Sequence, residues 1–119
     1  MKMWIKTASL FMFLAVLLGA FGAHVIRGAV SDHYFDVYKT AVVYQFVHAL
    51  GLFVVAWLSS ISKDPKISLA GFLMSAGILI FSGSLYVLSL TGVKLFGALT
   101  PVGGACFLAA WICLILVKI

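Results

Sequence analysis

"AVVYQFVHALGLFVVAWLSSI", residues 41–61, decides the fold. It is apolar at nearly every position and matches the ~20 residues an α-helix needs to cross the hydrocarbon of a bilayer, yet it carries a glutamine and a histidine. Three more runs have the same character: Trp4–Val25, Ile67–Leu90 and Leu99–Val117. A closed barrel is the other structure that spans a membrane, and it needs an in–out alternation that none of these runs shows. The sequence therefore predicts an all-α membrane protein: a four-transmembrane-helix bundle, one domain over 1–119, with helices over about 4–26, 35–62, 67–90 and 99–118.

Composition points the same way. The 119 residues are 65% hydrophobic and 9% charged, with a mean hydropathy of +1.24. There is no glutamate, and the only acids are Asp32, Asp36 and Asp64. So few polar side chains could not cover such a surface in water. The net charge of +5 does not indicate nucleic acid: the basic residues stand singly or in pairs between apolar runs and form no phosphate-tracking stripe. Cys106 and Cys113 would be separated by about 10 Å of helical rise, too far to bridge, and are expected to be buried and inert. "MKMWIK" (1–6) with "AFG" (20–22) has the outline of a signal peptide, but the apolar run is long for one, so it is taken as a retained span.

The connections are legible. Ser31-Asp32 offers an N-cap for the second helix, whose first turns place Tyr34 and Tyr38 at the interface, where an aromatic belt is expected. "KDPK" (63–66) is a tight polar turn, and "TP" (100–101) reads as a Thr-capped, Pro-first start to the fourth helix. Lys2, Lys6, Lys63, Lys66 and Lys118 fall on one side, and Arg27, Lys39 and Lys94 on the other. The positive-inside rule then expects both termini in the cytoplasm.

At ~1.5 Å of rise per residue, the polar groups of all four runs gather in the half away from the termini. These are His24, Tyr44, Gln45, His48, Ser82, Ser84, Tyr86 and Thr100, the candidate ligand-binding or polar cluster. In helix two, Ala41, Gln45, His48, Leu52, Val55 and Ser59 follow one helical stripe. Gly19, Gly22, Ala23, Gly71, Ser75, Gly83, Gly103 and Gly104 are the candidate packing residues, since small side chains let membrane helices approach. His24 fits a helix end at the interface. His48, well inside a span, is either a satisfied core histidine or a functional group.

The residues restrict the chemistry. No carboxylate lies within a span, which speaks against a proton relay, paired-carboxylate hydrolysis or a dimetal site. Ser82 or Ser84 with His48 would make a nucleophile and base lacking an orienting acid. His24 and His48 as haem ligands would differ in depth by about 10 Å, so no haem is expected, and neither a metal nor another cofactor is predicted. The chain is not expected to be an enzyme.

Four motifs, "LLGAFGAH" (17–24), "YQFVHALGL" (44–52), "FSGSLYVLSLTG" (81–92) and "TPVGGACFLAAW" (100–111), together resemble the YwdK/YgdD-like family of small bacterial inner-membrane proteins. The resemblance implies a multi-pass protein of the bacterial inner (plasma) membrane and no defined activity. The expected function is a binding or scaffold protein whose polar cluster holds a lipid, a quinone or a partner helix. The alternative is an oligomeric small-solute channel or transporter. Expected partners are membrane lipids and a second copy or another membrane protein, not nucleic acid.

Overall fold

A computed structural model describes residues 1–119. Four helices long and apolar enough to cross a membrane make up the chain: α1, Lys2–Ile26; α2, Asp32–Ile61; α3, Pro65–Thr91; and α4, Leu95–Ile115. The bundle is 47 Å long, enough to cover the hydrocarbon and both headgroup layers of a bilayer. Both termini and the α2–α3 turn lie at one end, and the α1–α2 and α3–α4 connections at the other. These are called below the terminal end and the loop end.

Local chemistry sets the helix ends. Ser31 caps α2, its Oγ accepting from Tyr34 N at 3.2 Å. Asp64 caps α3, its Oδ1 accepting from Lys66 N at 2.9 Å, and Pro65 fills the first helical position, where its missing N–H costs nothing. Gly92 closes α3 with φ 71°, a left-handed conformation that only glycine adopts without strain.

Asp64 also reaches the other chain end. Its Oδ2 accepts from Lys118 N at 2.9 Å, while Ser62 Oγ donates to Lys118 O at 2.8 Å. The N–H groups of Lys118 and Lys66, with the Lys66 ammonium beside them, hold the Asp64 carboxyl down to about 2.

The fourth helix starts earlier than the Thr100-Pro101 pair suggests. Phe96 N and Gly97 N open it with bonds to Val93 O and Lys94 O, and Pro101 lies inside it. An extended link over 95–99 would leave backbone groups unpaired at the membrane boundary, where an early helical start pairs them.

Helix α2 is the hub. The most extensive pairings are α1 with α2 and α3 with α4, and α2 also packs along α3. Its expected stripe is the buried face: Ala41, Gln45, His48, Leu52 and Val55 are buried, and Ser59 is half-buried. The half nearer the termini holds an apolar core that includes Trp4, Ala8, Leu52, Val55, Ile67, Met74 and Phe107. With lipid as apolar as leucine, close backbone approach has to replace the hydrophobic drive. Trp4 lies flat on Gly71, Phe107 on Gly77, and Gly103 meets the Phe81 backbone, each at a separation that a Cβ would close.

Two helices carry a π-helical turn, α1 over Gly22–Ile26 and α3 over Ile78–Ser82. Such a turn adds a residue and rotates the later positions around the helix axis. In α1 it leaves Gly22 and Ile26 buried and turns Ala23, His24 and Val25 outward. Tyr38, expected in the interfacial belt, is instead only 2% exposed. The bare Cα of Gly22 lets its ring lie against α1, where its hydroxyl donates to Leu18 O at 2.6 Å.

Candidate functional site

The polar side chains from the middle of the bundle to its loop end form three sets, two of them on α2. The first ties α2 to both neighbours. Gln45 Nε2 donates to Phe11 O on α1 at 2.9 Å, and its Oε1 accepts from the Tyr86 hydroxyl on α3 at 2.7 Å. Tyr86 packs against Tyr38, ring centroids 5.2 Å apart. Beside them Ser82 Oγ donates to Ala41 O at 2.8 Å. The π-helical turn ends at Ser82, and that serine is fully buried against α2.

The second set is built on His48. Its Nδ1 lies 2.8 Å from Tyr44 O, and its Nε2 accepts from the indole N–H of Trp111 on α4 at 3.0 Å. The carbonyl can only accept and the indole can only donate. The neutral tautomer protonated on Nδ1 therefore satisfies both partners. Phe107 stacks on the imidazole, 3.5 Å between centroids at 11°, and the Tyr44 ring packs on Phe81 at 4.4 Å.

The third set is small: Ser84 Oγ and Thr100 Oγ1 meet at 2.8 Å across α3 and α4. Every buried polar side-chain atom in the bundle has a hydrogen-bond partner.

The structure thus brings Gln45, Ser82 and Tyr86 together, pairs Ser84 with Thr100, and gives His48 a partner on α4 rather than a hydroxyl of α3. Neither serine bonds the imidazole. Its Nε2 lone pair is committed to Trp111, so a haem iron would have to break that bond. His24 does not join the cluster; it sits exposed on the outward face that the π-helical turn of α1 creates. Tyr44 contributes its carbonyl inward, and its side chain is 41% exposed.

Among the packing candidates, Gly22, Gly71 and Gly103 lie hard against a ring or a backbone, and a Cβ on Gly19 would stand in ordinary contact with Val42 at 3.4 Å. Ser75 bonds back to Gly71 O in its own helix. A Cβ on Gly104 would meet only the edge of Phe81, at 3.9 Å, and Gly83 has nothing within 4 Å of where a Cβ would stand. Ala23 is exposed. Gly83 and Ala23 are therefore not helix contacts: Ala23 faces outward, and Gly83 is half-buried on a groove between α3 and α4. Sequence reasoning did not single out Trp111, Phe107, Gly51 or Gly77. The spacing of "FLAAW" (107–111) was the signal available, since positions four apart share a helix face.

Outside the His48 set a groove of about 500 Å³ runs between α2 and α4. Tyr44, His48, Phe81, Phe107 and Trp111 wall it, with Gly104 and Ala105 along its floor. Pro101 and Leu108 at its edge are exposed, so it opens sideways, toward hydrocarbon. A smaller groove of about 220 Å³ lies between α1 and α2 over Gly19, Gly22 and Ala23.

Comparison with known proteins agrees with this architecture. Residues 18–104 match the family model "Protein of unknown function (DUF423)". The chain is 47% identical to the UPF0382 membrane protein YwdK of Bacillus subtilis, over 100% of this chain and 98% of that protein. It is 44% identical to the UPF0382 membrane protein SAB0533 of Staphylococcus aureus, over 98% of this chain and 94% of that one. With the UPF0382 membrane protein SH2409 of Staphylococcus haemolyticus it shares 42% identity over the same shares. No solved structure matches. The chain belongs to this family of uncharacterised membrane proteins, DUF423, and is a multi-pass protein of the plasma membrane.

Proposed function

We propose that the chain is a non-enzymatic binding scaffold that holds a hydrophobic membrane molecule in the aromatic groove between α2 and α4. The observation that carries this is the division of its polar groups. Inside, every buried polar side-chain atom is already bonded within the bundle, and both nitrogens of His48 are engaged. The core therefore holds no unpartnered polar atom awaiting a substrate. Outside, the groove pairs aromatic walls with a floor of small residues and faces the lipid, so a molecule dissolved in the bilayer reaches it without crossing water. A water-filled path would have to continue through the terminal half, which is packed with Trp4, Leu52, Val55, Ile67 and Met74.

Ala105→Trp tests the proposal. Ala105 is exposed on the groove floor, so an indole there fills the groove without entering the bundle. Protein purified in mild detergent should carry an enriched hydrophobic species by mass spectrometry, and the variant should lose it while keeping its helical content. Equal lipid content in both proteins, or release of small solutes from vesicles carrying the wild type, would overturn it.

A further inference from the structure

The aromatic groove does not end at Tyr44. A hollow of about 450 Å³ lined by Asp36, Lys39, Thr40, Val43 and Tyr44 adjoins it. Tyr44 is common to the two, while Lys39 and Val43 are common to the hollow and the smaller groove between α1 and α2. The surface at the loop end of α2 is therefore one charged hollow flanked by two apolar furrows: the aromatic groove, which descends from Tyr44, and the smaller groove between α1 and α2, which lies level with the hollow.

The depth suits an interface. From Ile61 to Val42 the helix rises about 28 Å, close to the ~30 Å of a hydrocarbon core. Asp36 and Lys39 then stand at headgroup level, with the furrow between α1 and α2 beside them at the membrane boundary, and the aromatic groove below Tyr44 lies in hydrocarbon. The charges are paired but open: Lys39 Nζ is 3.3 Å from Asp36 Oδ1, with side chains 58% and 72% exposed. The ammonium also sits 5.1 Å from the centre of the Phe35 ring, which holds it toward the furrow of α1.

From this geometry we infer that the occupant is a phospholipid with a primary-amine headgroup, of the phosphatidylethanolamine type. Its phosphate meets Lys39 and its ammonium donates to Asp36. One acyl chain follows the aromatic groove. A headgroup with net negative charge would bring its phosphate beside the Asp36 carboxylate with no ammonium of its own to offset it. A choline headgroup has no N–H to donate. This inference rests on the proposed role of the aromatic groove and adds the identity of its occupant.

The full-length protein, in nanodiscs of equimolar phosphatidylethanolamine, phosphatidylglycerol and phosphatidylcholine, is released into native mass spectrometry. One phosphatidylethanolamine per chain is expected, favoured by about three- to fivefold, the ratio an exposed ion pair supplies. Asp36→Asn should erase the preference over phosphatidylcholine. Equal retention of the three lipids by the wild type, or an unchanged preference in Asp36→Asn, would overturn the inference. A different apolar molecule lost with Ala105→Trp would overturn it while leaving the scaffold proposal standing; retention of nothing would sink both.

Discussion

Removing the Tyr86 hydroxyl examines how the polar belt holds the bundle together. Tyr86→Phe takes away the 2.7 Å bond to Gln45 Oε1 and leaves that oxygen, on a side chain 3% exposed, without a partner. Gln45→Leu removes that bond and also the 2.9 Å bond from Nε2 to Phe11 O. The Phe11 carbonyl belongs to a regular helical stretch, so it loses only its bond to α2. In water-soluble proteins an orphaned buried acceptor costs about 1–3 kcal/mol. Between membrane helices a hydrogen bond averages about 0.6 kcal/mol and reaches about 1.7, because separated helices also find partners within the bilayer. Tyr86→Phe should therefore cost about 1 kcal/mol, Gln45→Leu about 1.5, and the double variant about 1.7, since the second change has no bond left to break. The coupling of about 0.8 kcal/mol is a factor of about four in the unfolding constant. Reversible unfolding in mixed micelles titrated with dodecyl sulfate, followed by helical circular dichroism, measures all four proteins. Single-variant costs that add to within about 0.3 kcal/mol would mean the pair contributes nothing specific.

Gly71→Ala should destabilise by about 1–3 kcal/mol in the same titration, because its Cβ meets the Trp4 ring. Gly83→Ala, with open space around it, should be neutral or slightly stabilising, and equal losses at the two sites would contradict the packing. The folded-state pKa of Asp64 lies below its ordinary value, so its contribution is fully present above pH ~4 and is lost as pH falls through about 2. The protection factor of the Lys118 amide, its exchange rate relative to an unstructured peptide at the same pH, should accordingly be higher at pH 6 than near pH 2, and low at both in Asp64→Asn; pH-independent protection in the wild type would refute the clasp. Nitrogen NMR of labelled histidine should find His48 protonated on Nδ1 with Nε2 as acceptor, and Trp111→Phe should shift the Nε2 resonance. A proton found on Nε2 would contradict the bond from Trp111.

How far the sequence could be read depended on the surroundings of each helix. The stripe from Ala41 to Val55 was legible because α2 touches neighbours along its length, so polar and small residues had to gather on that face. Helices α1 and α4 face lipid over most of their surface, and lipid and core select the same Leu, Val and Phe. Nothing in their spacing said that Ala23 would turn outward, and "FLAAW" put Phe107 and Trp111 on one face without saying which way that face turned. The π-helical turn in α1 added to this, since one extra residue moves His24 around the helix and no composition rule announces it. The glycines failed for a different reason. Gly71 and Gly83 are alike in sequence, and the difference between them is a tryptophan ring 67 positions away against Gly71 and nothing against Gly83.

The same geometry explains why polar residues were easy to find and their partners hard to name. Gln45, Tyr38 and Ser82 each donate to a main-chain carbonyl of a neighbouring helix. A carbonyl has a second lone pair left after its helix bond, so such a bond disturbs no ladder, and any residue type serves as the acceptor. The donor therefore leaves a mark in the sequence and the acceptor leaves none. The cluster was expected either to pack the bundle or to bind a ligand, and these roles are not rivals. Gln45 and Tyr38 fix α1 against α2 on one side of the hub, and the His48–Trp111 bond fixes α4 on the other. Each of those joints lines one of the furrows that flank α2. Loosening a joint should widen its furrow before it unfolds the bundle. A variant such as Trp111→Phe should then lose selectivity for the molecule in the groove while its helical content stays intact.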